Sequence, residues 1–140
     1  MRTVRLAAPL TQTSAGGLAE WDMVVEATGT RKGKPAAEVG LVGERFDRWD
    51  DNMMTGNGAE AWAFQSYSGC TFLKRDKINT SYGAVLKAGD VVTFRLDMNE
   101  RTCSLAINGK DYGLAWRDLP DRVYPAVSLF PGSRYRFGTD

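Results

Sequence analysis

The residue types that this 140-residue chain lacks restrict its chemistry as much as those it contains. There is no histidine, so neither a Ser-His-Asp triad nor a Cys-His pair can form within the chain. Histidine-ligated zinc sites are excluded for the same reason. The two cysteines, Cys70 and Cys103, are expected to be reduced, partly buried thiols. A disulfide between them is geometrically possible, but nothing in the sequence favours it.

Three carboxylates, Glu20, Asp22 and Glu26, fall on one side of a predicted strand. Some jelly-roll glycoside hydrolases place their acid and nucleophile in this way. Those enzymes use a compact Glu-x-Asp-x-Glu or Glu-x-Asp-x-x-Glu block, whereas three residues separate Asp22 from Glu26 here. The spacing therefore favours a solvated outer face over a catalytic pair.

A second acidic group, formed by Asp47, Asp50, Asp51 and Asn52, offers oxygen ligands to a hard cation. Its spacing fits no EF-hand loop, because no glutamate closes a twelve-residue frame. We therefore interpret this group as a surface acidic loop, and we expect the protein to need neither a metal nor another cofactor.

Composition and charge limit the classes of partner. Hydrophobic residues make up 43% and charged residues 25% of the chain, which are ordinary values for a soluble domain. A formal charge of +1 provides no field to recruit nucleic acid or an anionic membrane. No apolar run approaches the roughly 20 residues of a membrane helix, and the N-terminus has too short an apolar stretch for a signal peptide. We expect a single domain over residues 1–140, monomeric in isolation, in the cytoplasm or nucleus.

Alternating apolar and polar residues predict strands along the whole chain. The clearest pattern lies between Gly89 and Asp97, and a second begins after the polar residues at 99–101. Side chains of a strand point alternately to its two faces, so these two strands should pair as a hairpin with one buried face. Asn108-Gly109 suits a tight turn with positive φ at both central residues, which predicts a third strand around residues 112–116.

Other segments repeat this pattern, and none shows the apolar spacing of a long helix. The further predicted strands are Val4–Leu6, Trp21–Ala27, Ala37–Gly43, Glu60–Gln65, Cys70–Leu73, Val123–Phe130 and Arg134–Phe137. Short strands of this kind predict an all-β fold, an antiparallel two-sheet β-sandwich with aromatic inner faces. The expected core aromatics are Trp21, Trp62, Phe64, Phe72, Phe94, Tyr135 and Phe137.

Five short sequence motifs, in matching order and spacing, resemble the second half of a SPRY (B30.2) domain. They are Gly89-Asp90-Val91-Val92, Leu96-Asp97, Ile107-Asn108-Gly109, Leu114-Ala115-Trp116 and Tyr124-Pro125-Ala126-Val127-Ser128-Leu129. No single motif is specific to the family, but the order and spacing of all five together are. The resemblance extends from about Leu18 to Gly138. It implies a bent, concanavalin-like sandwich whose variable loops gather at one edge and bind a protein or short peptide.

The resemblance also implies where a partner would bind. In peptide-binding SPRY domains, one side of the pocket comes from the irregular loop before a Trp-x-Trp type strand, which is Asp51 to Gly56 in this sequence. The other side comes from the turn after the Tyr-Pro-x-Val-Ser strand. The predicted binding residues are Phe46, Trp49, Asp51, Asn52, Met53, Met54, Phe130, Pro131 and Gly132. Their types agree with the Trp, Phe and Met enrichment of protein interfaces.

Two departures limit what can be transferred from the family. Those peptide binders carry a Tyr in the first loop and Val-Trp-Gly in the turn, where this chain has Asp51 and Phe130-Pro131-Gly132. Their peptide specificity is therefore not expected here.

The resemblance implies a non-catalytic interaction module, such as a substrate-recruiting part of a ubiquitin ligase or a subunit of a larger assembly. The alternative is a carbohydrate-binding or carbohydrate-active sandwich. That alternative predicts sugar-stacking aromatics on an open sheet face, with a carboxylate pair or bound calcium. The missing histidine and the imperfect carboxylate block count against it.

Overall fold

The computed structural model describes residues 1–11, 14–55, 60–74 and 78–138. This part of the chain forms twelve strands and one short 3-10 helix, Ser14–Gly17. It contains no helix long and apolar enough to cross a membrane. The strands are β1 (Arg2–Arg5), β2 (Leu18–Ala27), β3 (Gly29–Arg31), β4 (Lys34–Val42), β5 (Ala61–Tyr67), β6 (Cys70–Lys74), β7 (Ile78–Asn79), β8 (Val91–Asp97), β9 (Thr102–Ile107), β10 (Lys110–Trp116), β11 (Tyr124–Leu129) and β12 (Arg134–Gly138).

Two antiparallel sheets confirm the predicted β-sandwich. Within the described ranges, the seven-stranded sheet has the order β1-β11-β4-β5-β6-β7, with β3 paired to β4. The five-stranded sheet has the order β10-β9-β8-β2-β12. Strands β11 and β12 follow one another in sequence but lie in different sheets, so the turn between them crosses the sandwich edge.

The inner faces of both sheets enclose the main core, and the predicted alternation holds there. Phe94, on β8, is fully buried, and its ring stacks on Trp21 with centroids 5.0 Å apart. The ring of Trp116, on β10, lies 6.3 Å from Phe94 on its other side. Offset aromatic pairs of this kind add about 1 kcal/mol each to the free energy of area burial.

The predicted hairpin and its following strand are confirmed. Strand β8 pairs with β9 in continuous register from Val92↔Ile107 to Asp97↔Thr102. Asn108 and Gly109 have φ values of 50° and 83°, as the two-residue turn requires. The chain therefore returns directly as β10.

Four expectations about burial need correction. Phe137 lies opposite Met23 but is 38% exposed, on edge strand β12. Cys70 is exposed at the β5–β6 turn, whereas Cys103 is buried in the core. Trp62 and Tyr135 are half-buried at the margin of the core. Phe72 is half-buried on the outer face of the seven-stranded sheet, because its neighbour Leu73 takes the inner face.

A second, smaller core lies on the outer face of the seven-stranded sheet. The segment from Gly43 to Glu60, named the cover loop here, follows β4 and precedes β5, and its residues 56–59 are outside the described ranges. The small core consists of Val42, Phe46, Met53, Ala61, Ala63, Tyr124 and Ala126. The middle strands of this sheet are therefore covered on both faces, and seven consecutive residues of β4, 36–42, are buried.

Candidate functional site

The cover loop is closed at its base by two hydrogen bonds. The Gly43 N–H donates to the Glu60 carbonyl at 2.9 Å, and the Arg45 N–H donates to Glu60 Oε1 at 2.9 Å. Its ends are thereby fixed on neighbouring strands β4 and β5. The intervening chain must cross the outer face of the sheet.

A buried carboxylate, Glu38, holds the middle of the cover loop against the sheet. Glu38 lies on β4 with no exposed surface, and alternation turns it to the outer face while Val39 enters the main core. It accepts hydrogen bonds from the Met53 N–H at 2.7 Å, from Gln65 Nε2 at 2.8 Å and from the Ser128 hydroxyl. One side chain thus joins β4, β5, β11 and the loop.

Burial raises the pKa of Glu38, because a charged carboxylate loses its hydration there. The hydrogen bonds from Ser128, Met53 and Gln65 oppose that shift, and so does the positive charge of Arg31. The net direction is upward. Protonation of Glu38 is therefore easier in the folded protein than in the unfolded chain.

Edge strand β1 fixes the loop from its other side. The Thr3 N–H donates to the Trp49 carbonyl at 3.0 Å, and the Thr3 hydroxyl donates to the Asp51 carbonyl at 2.6 Å. Asn52 caps the following turn, because its Oδ1 accepts from the N–H groups of Met54 and Thr55 at 2.9 and 3.1 Å. The backbone from 49 to 55 is therefore held at several points.

An aromatic group lies in the first part of the cover loop, before Asn52. The rings of Phe46 and Trp49 meet edge to face with centroids 4.7 Å apart. The Arg5 guanidinium lies 3.7 Å from the ring centre of Tyr124 and 5.9 Å from that of Trp49. Cation–π contacts at such distances favour this arrangement. Trp49 is thus partly exposed, and the buried Phe46 ring packs against it.

The turn between β11 and β12 lies beside β3. The Ser133 N–H donates to the Phe130 carbonyl at 2.9 Å, and the Thr30 N–H donates to the Pro131 carbonyl at 2.9 Å. The Phe130 ring is buried, and a Cβ on Gly29 would approach Phe130 Cβ to 2.7 Å, so this position on β3 requires glycine. Pro131 and Gly132 remain exposed.

The nine predicted binding residues divide into a buried and an accessible set. Phe46, Asn52, Met53 and Phe130 are 3%, 2%, 0% and 2% exposed, so they support the surface and have no area to offer a partner. This corrects the expectation that those four contact a partner directly. The accessible set, named the loop-edge surface, comprises Trp49, Asp51, Met54, Pro131 and Gly132. Gly56, the end of the predicted loop segment, lies outside the described residues.

The hydrogen-bonding residues beneath the surface were missed from the sequence. Glu38 and Ser128 each stand as a single polar residue in an otherwise apolar strand, and Thr3 stands beside Arg2, so each pattern ordinarily indicates a solvated position. The available signal was the near-continuous apolar run of β4 around Glu38, which is typical of a strand covered on both faces.

The three carboxylates of β2 form local pairs. Glu20 lies 3.8 Å from Arg95, Asp22 accepts from the Thr93 hydroxyl at 2.6 Å, and Glu26 lies within 3.5 Å of both Arg134 and Arg136. Among the residues that the structure describes, no three His, Cys, Asp or Glu side chains are grouped so as to hold a metal ion.

The fold and the site define a β-sandwich that presents loops fixed by buried hydrogen bonds. The sequence profile of the SPRY domain matches residues 20–139, and the chain belongs to the SPRY domain family. SPRY domains are in general protein-interaction modules.

Curated relatives are long proteins that contain such a domain. The chain is 31% identical over 91 residues to the Ran-binding proteins 9/10 homolog of Drosophila melanogaster, a match covering 65% of this chain and 9% of that protein. It is 38% identical over 48 residues to Ran-binding protein 9 of Homo sapiens, covering 34% of this chain and 7% of that protein.

Solved structures agree on the fold. The SPRY domain of human HERC1 superposes with a TM-score of 0.76 at 25% identity, covering 98% of this chain and 81% of that chain. The TRIM65 PSpry domain superposes with a TM-score of 0.70 at 12% identity, covering 100% and 71%, respectively. At such identity the latter supports the sandwich fold and no more.

Proposed function

We propose that this domain binds a segment of a partner protein through the loop-edge surface. One observation carries the proposal: the Met53–Met54 part of the cover loop and the turn with Pro131 and Gly132 are fixed to the same end of β11, while Trp49 shares the Arg5 guanidinium with Tyr124 at the other end. The Met53 N–H donates to Ser128 Oγ at 3.1 Å, and the turn with Pro131 and Gly132 begins two residues after Ser128. A surface ordered before binding loses less conformational entropy when the partner arrives.

The chemistry of the accessible residues supports a protein ligand. Trp49 is 38% exposed and is supported by Phe46, which favours its use as a rigid anchor. Met54 adds an adaptable apolar contact, and Asp51 adds a charged acceptor at the rim. In a longer protein, we propose that the domain recruits its partner into an assembly, either as a substrate-recruiting part of a ubiquitin ligase or as another subunit.

The test uses affinity capture followed by a direct binding measurement. The variant combines Trp49→Ala and Met54→Ala, which remove accessible side chains and leave the buried supports in place. The matched control is Leu18→Ala, an exposed apolar residue 57% accessible on the other sheet. Partners retained by the wild type are then purified and titrated against all three proteins.

The double variant is expected to raise the dissociation constant for the partner at least about 30-fold, since two interface anchors contribute roughly 2 kcal/mol or more together. The control should bind as the wild type does. Equal binding by the double variant at unchanged melting temperature would contradict the assignment. Binding of a glycan in place of any protein would favour the carbohydrate alternative.

A further inference from the structure

Strand β6 has an open backbone edge. Ser68 and Gly69 form the β5–β6 turn with φ values of 52° and 79°, the geometry of a two-residue hairpin. In such a hairpin the flanking residues, Tyr67 and Cys70, form the hydrogen-bonded pair, and the next pair points its polar groups away from each other. The N–H and C=O of Thr71 therefore point away from β5.

Strand β7 ends before it reaches Thr71. Its register with β6 consists of Leu73↔Asn79 and Lys74↔Ile78. Asn79 Oδ1 then accepts from both the N–H and the hydroxyl of Ser81 at 2.8 Å, which turns the chain away from the sheet. The position beside Thr71, which a longer β7 would fill, is left open.

A groove occupies this position. It has a volume of about 580 Å³ and is lined on one side by residues 69–72 and on the other by Thr80 and residues 83–85. A second depression of about 320 Å³ shares Gly69 and Val85 with it and continues toward Lys87 and Pro35. Val85 is 41% exposed between the two. This continuous depression is named the β6 groove.

The far end of the β6 groove is positively charged. Lys87 lines it and is exposed. Asp90 is nearby, but it is 9% exposed and its two oxygens accept from the Lys87 N–H and from Asn108 Nδ2. Lys87 therefore presents its positive charge to solvent at this end of the groove.

We infer that the β6 groove is a second binding site, which takes an extended segment of a partner protein as an added antiparallel strand. The N–H and C=O of Thr71 would bond to its backbone, as in other cases of strand addition. A segment antiparallel to β6 runs toward Cys70, so its carboxyl-terminal end reaches Lys87. The expected ligand is a short apolar strand with acidic residues at its C-terminal end.

Cys70 gives a direct readout of occupancy. It is exposed and lines the groove, whereas Cys103 is buried. The rate at which N-ethylmaleimide alkylates Cys70 can therefore be followed by mass spectrometry without interference from the second thiol. The probe is a six-residue peptide of alternating threonine and valine ending in two acidic residues. Its counterparts carry the acidic pair at the N-terminal end or end in two lysines.

The C-terminally acidic peptide, at about 1 mM, is expected to slow Cys70 alkylation at least threefold, since weak segments bind in this range. The lysine peptide should have no effect, and the N-terminally acidic peptide should protect less. Thr71→Pro removes the outward N–H but no bond to β5, and it should raise the dissociation constant about fivefold, as expected for one hydrogen bond.

Two further variants separate binding from folding. Lys87→Glu should weaken the acidic peptide about tenfold in low salt, whereas Arg2→Glu, on the opposite edge of the sheet, should not. Val85→Arg fills the groove from an exposed position and should abolish protection. Absence of protection in the wild type, or equal protection in Thr71→Pro, Lys87→Glu and Val85→Arg, would overturn the inference. Neither result affects the loop-edge proposal, whose variants lie on the cover loop.

Discussion

At the scale of single residues, Glu38 determines how the surface is held. A carboxylate without exposed area loses several kcal/mol of hydration, and the hydrogen bonds from Met53, Gln65 and Ser128 offset that loss. A buried apolar residue of similar size would pack without this cost. It would also leave the Met53 N–H without Glu38 as its acceptor. We interpret Glu38 as a residue that fixes the conformation of the cover loop at some expense in stability.

The raised pKa of Glu38 predicts a pH dependence of stability. The folded state holds this proton more tightly than the unfolded state, so between the unfolded pKa and the raised folded pKa the native protein binds more protons. The Glu38 contribution to the free energy of unfolding is therefore largest in acid, below the unfolded pKa of about 4.3, and declines as pH rises through this window. In urea titrations across pH, Glu38→Gln should lack the decline, which has a maximum slope of about 1.4 kcal/mol per pH unit.

Glu20→Gln is the matched control, because the Glu20 side chain is 63% exposed beside Arg95. It should reproduce the wild-type profile. A Glu38→Gln profile parallel to that of the wild type would show that the buried carboxylate does not titrate differently in the two states.

At the scale of elements, β4 and β5 pair closely just before the cover loop begins. Gly40 lies opposite Ala63 on the outer face of β4, between Glu38 and Val42. A Cβ at this position would come within 2.0 Å of the Trp62 carbonyl oxygen. Because that neighbour is backbone, relief requires the two strands to move apart.

Gly40→Ala is therefore expected to lower the free energy of unfolding by about 3 kcal/mol or more, as overpacking in a core does. Gly138→Ala is the control, since Gly138 is also a strand glycine but has no neighbouring atom within 4 Å of its would-be Cβ. That control should leave stability unchanged or slightly raised. Chemical denaturation of both variants gives the comparison, and equal stabilities would mean that β4 and β5 are not this close in solution.

The elements also show what the sequence determines locally. The hairpin of β8 and β9 was predictable because alternation and the Asn108-Gly109 turn specify it within a short stretch. The covered outer face was not, because contacts such as Met53 with Ser128 join residues 75 apart in sequence. Likewise, the sequence indicated that Trp49 and Met53 belong to one irregular loop. Their opposite exposures arise from bonds that β1, β4 and β11 make together.

At the scale of the whole molecule, the two cores differ in what encloses them. The main core lies between two sheets and includes Cys103, Phe94 and Trp116. The smaller core lies between one sheet and the cover loop. Opening the loop breaks contacts of Met53 and Phe46 but leaves the pairing of the sheets intact. Opening the main core requires the sheets to separate, which is global unfolding.

This arrangement predicts two levels of native-state opening. The Met53 N–H, which donates to Glu38 and Ser128, should exchange with solvent when the cover loop opens. Its opening free energy should be below the free energy of global unfolding. The Cys103 thiol is fully buried, and burial raises its pKa, so it should react with a thiol reagent only after global unfolding. The free energy of opening obtained from Cys103 labelling should equal the free energy of unfolding from urea denaturation.

Glu38→Ala should lower the opening free energy at Met53 more than that at Cys103, because the bond that it removes joins the cover loop to the sheet. Equal free energies for both probes in the wild type would show that the loop and the sandwich unfold as one unit, in which case the loop-edge surface could not rearrange on binding without unfolding the domain.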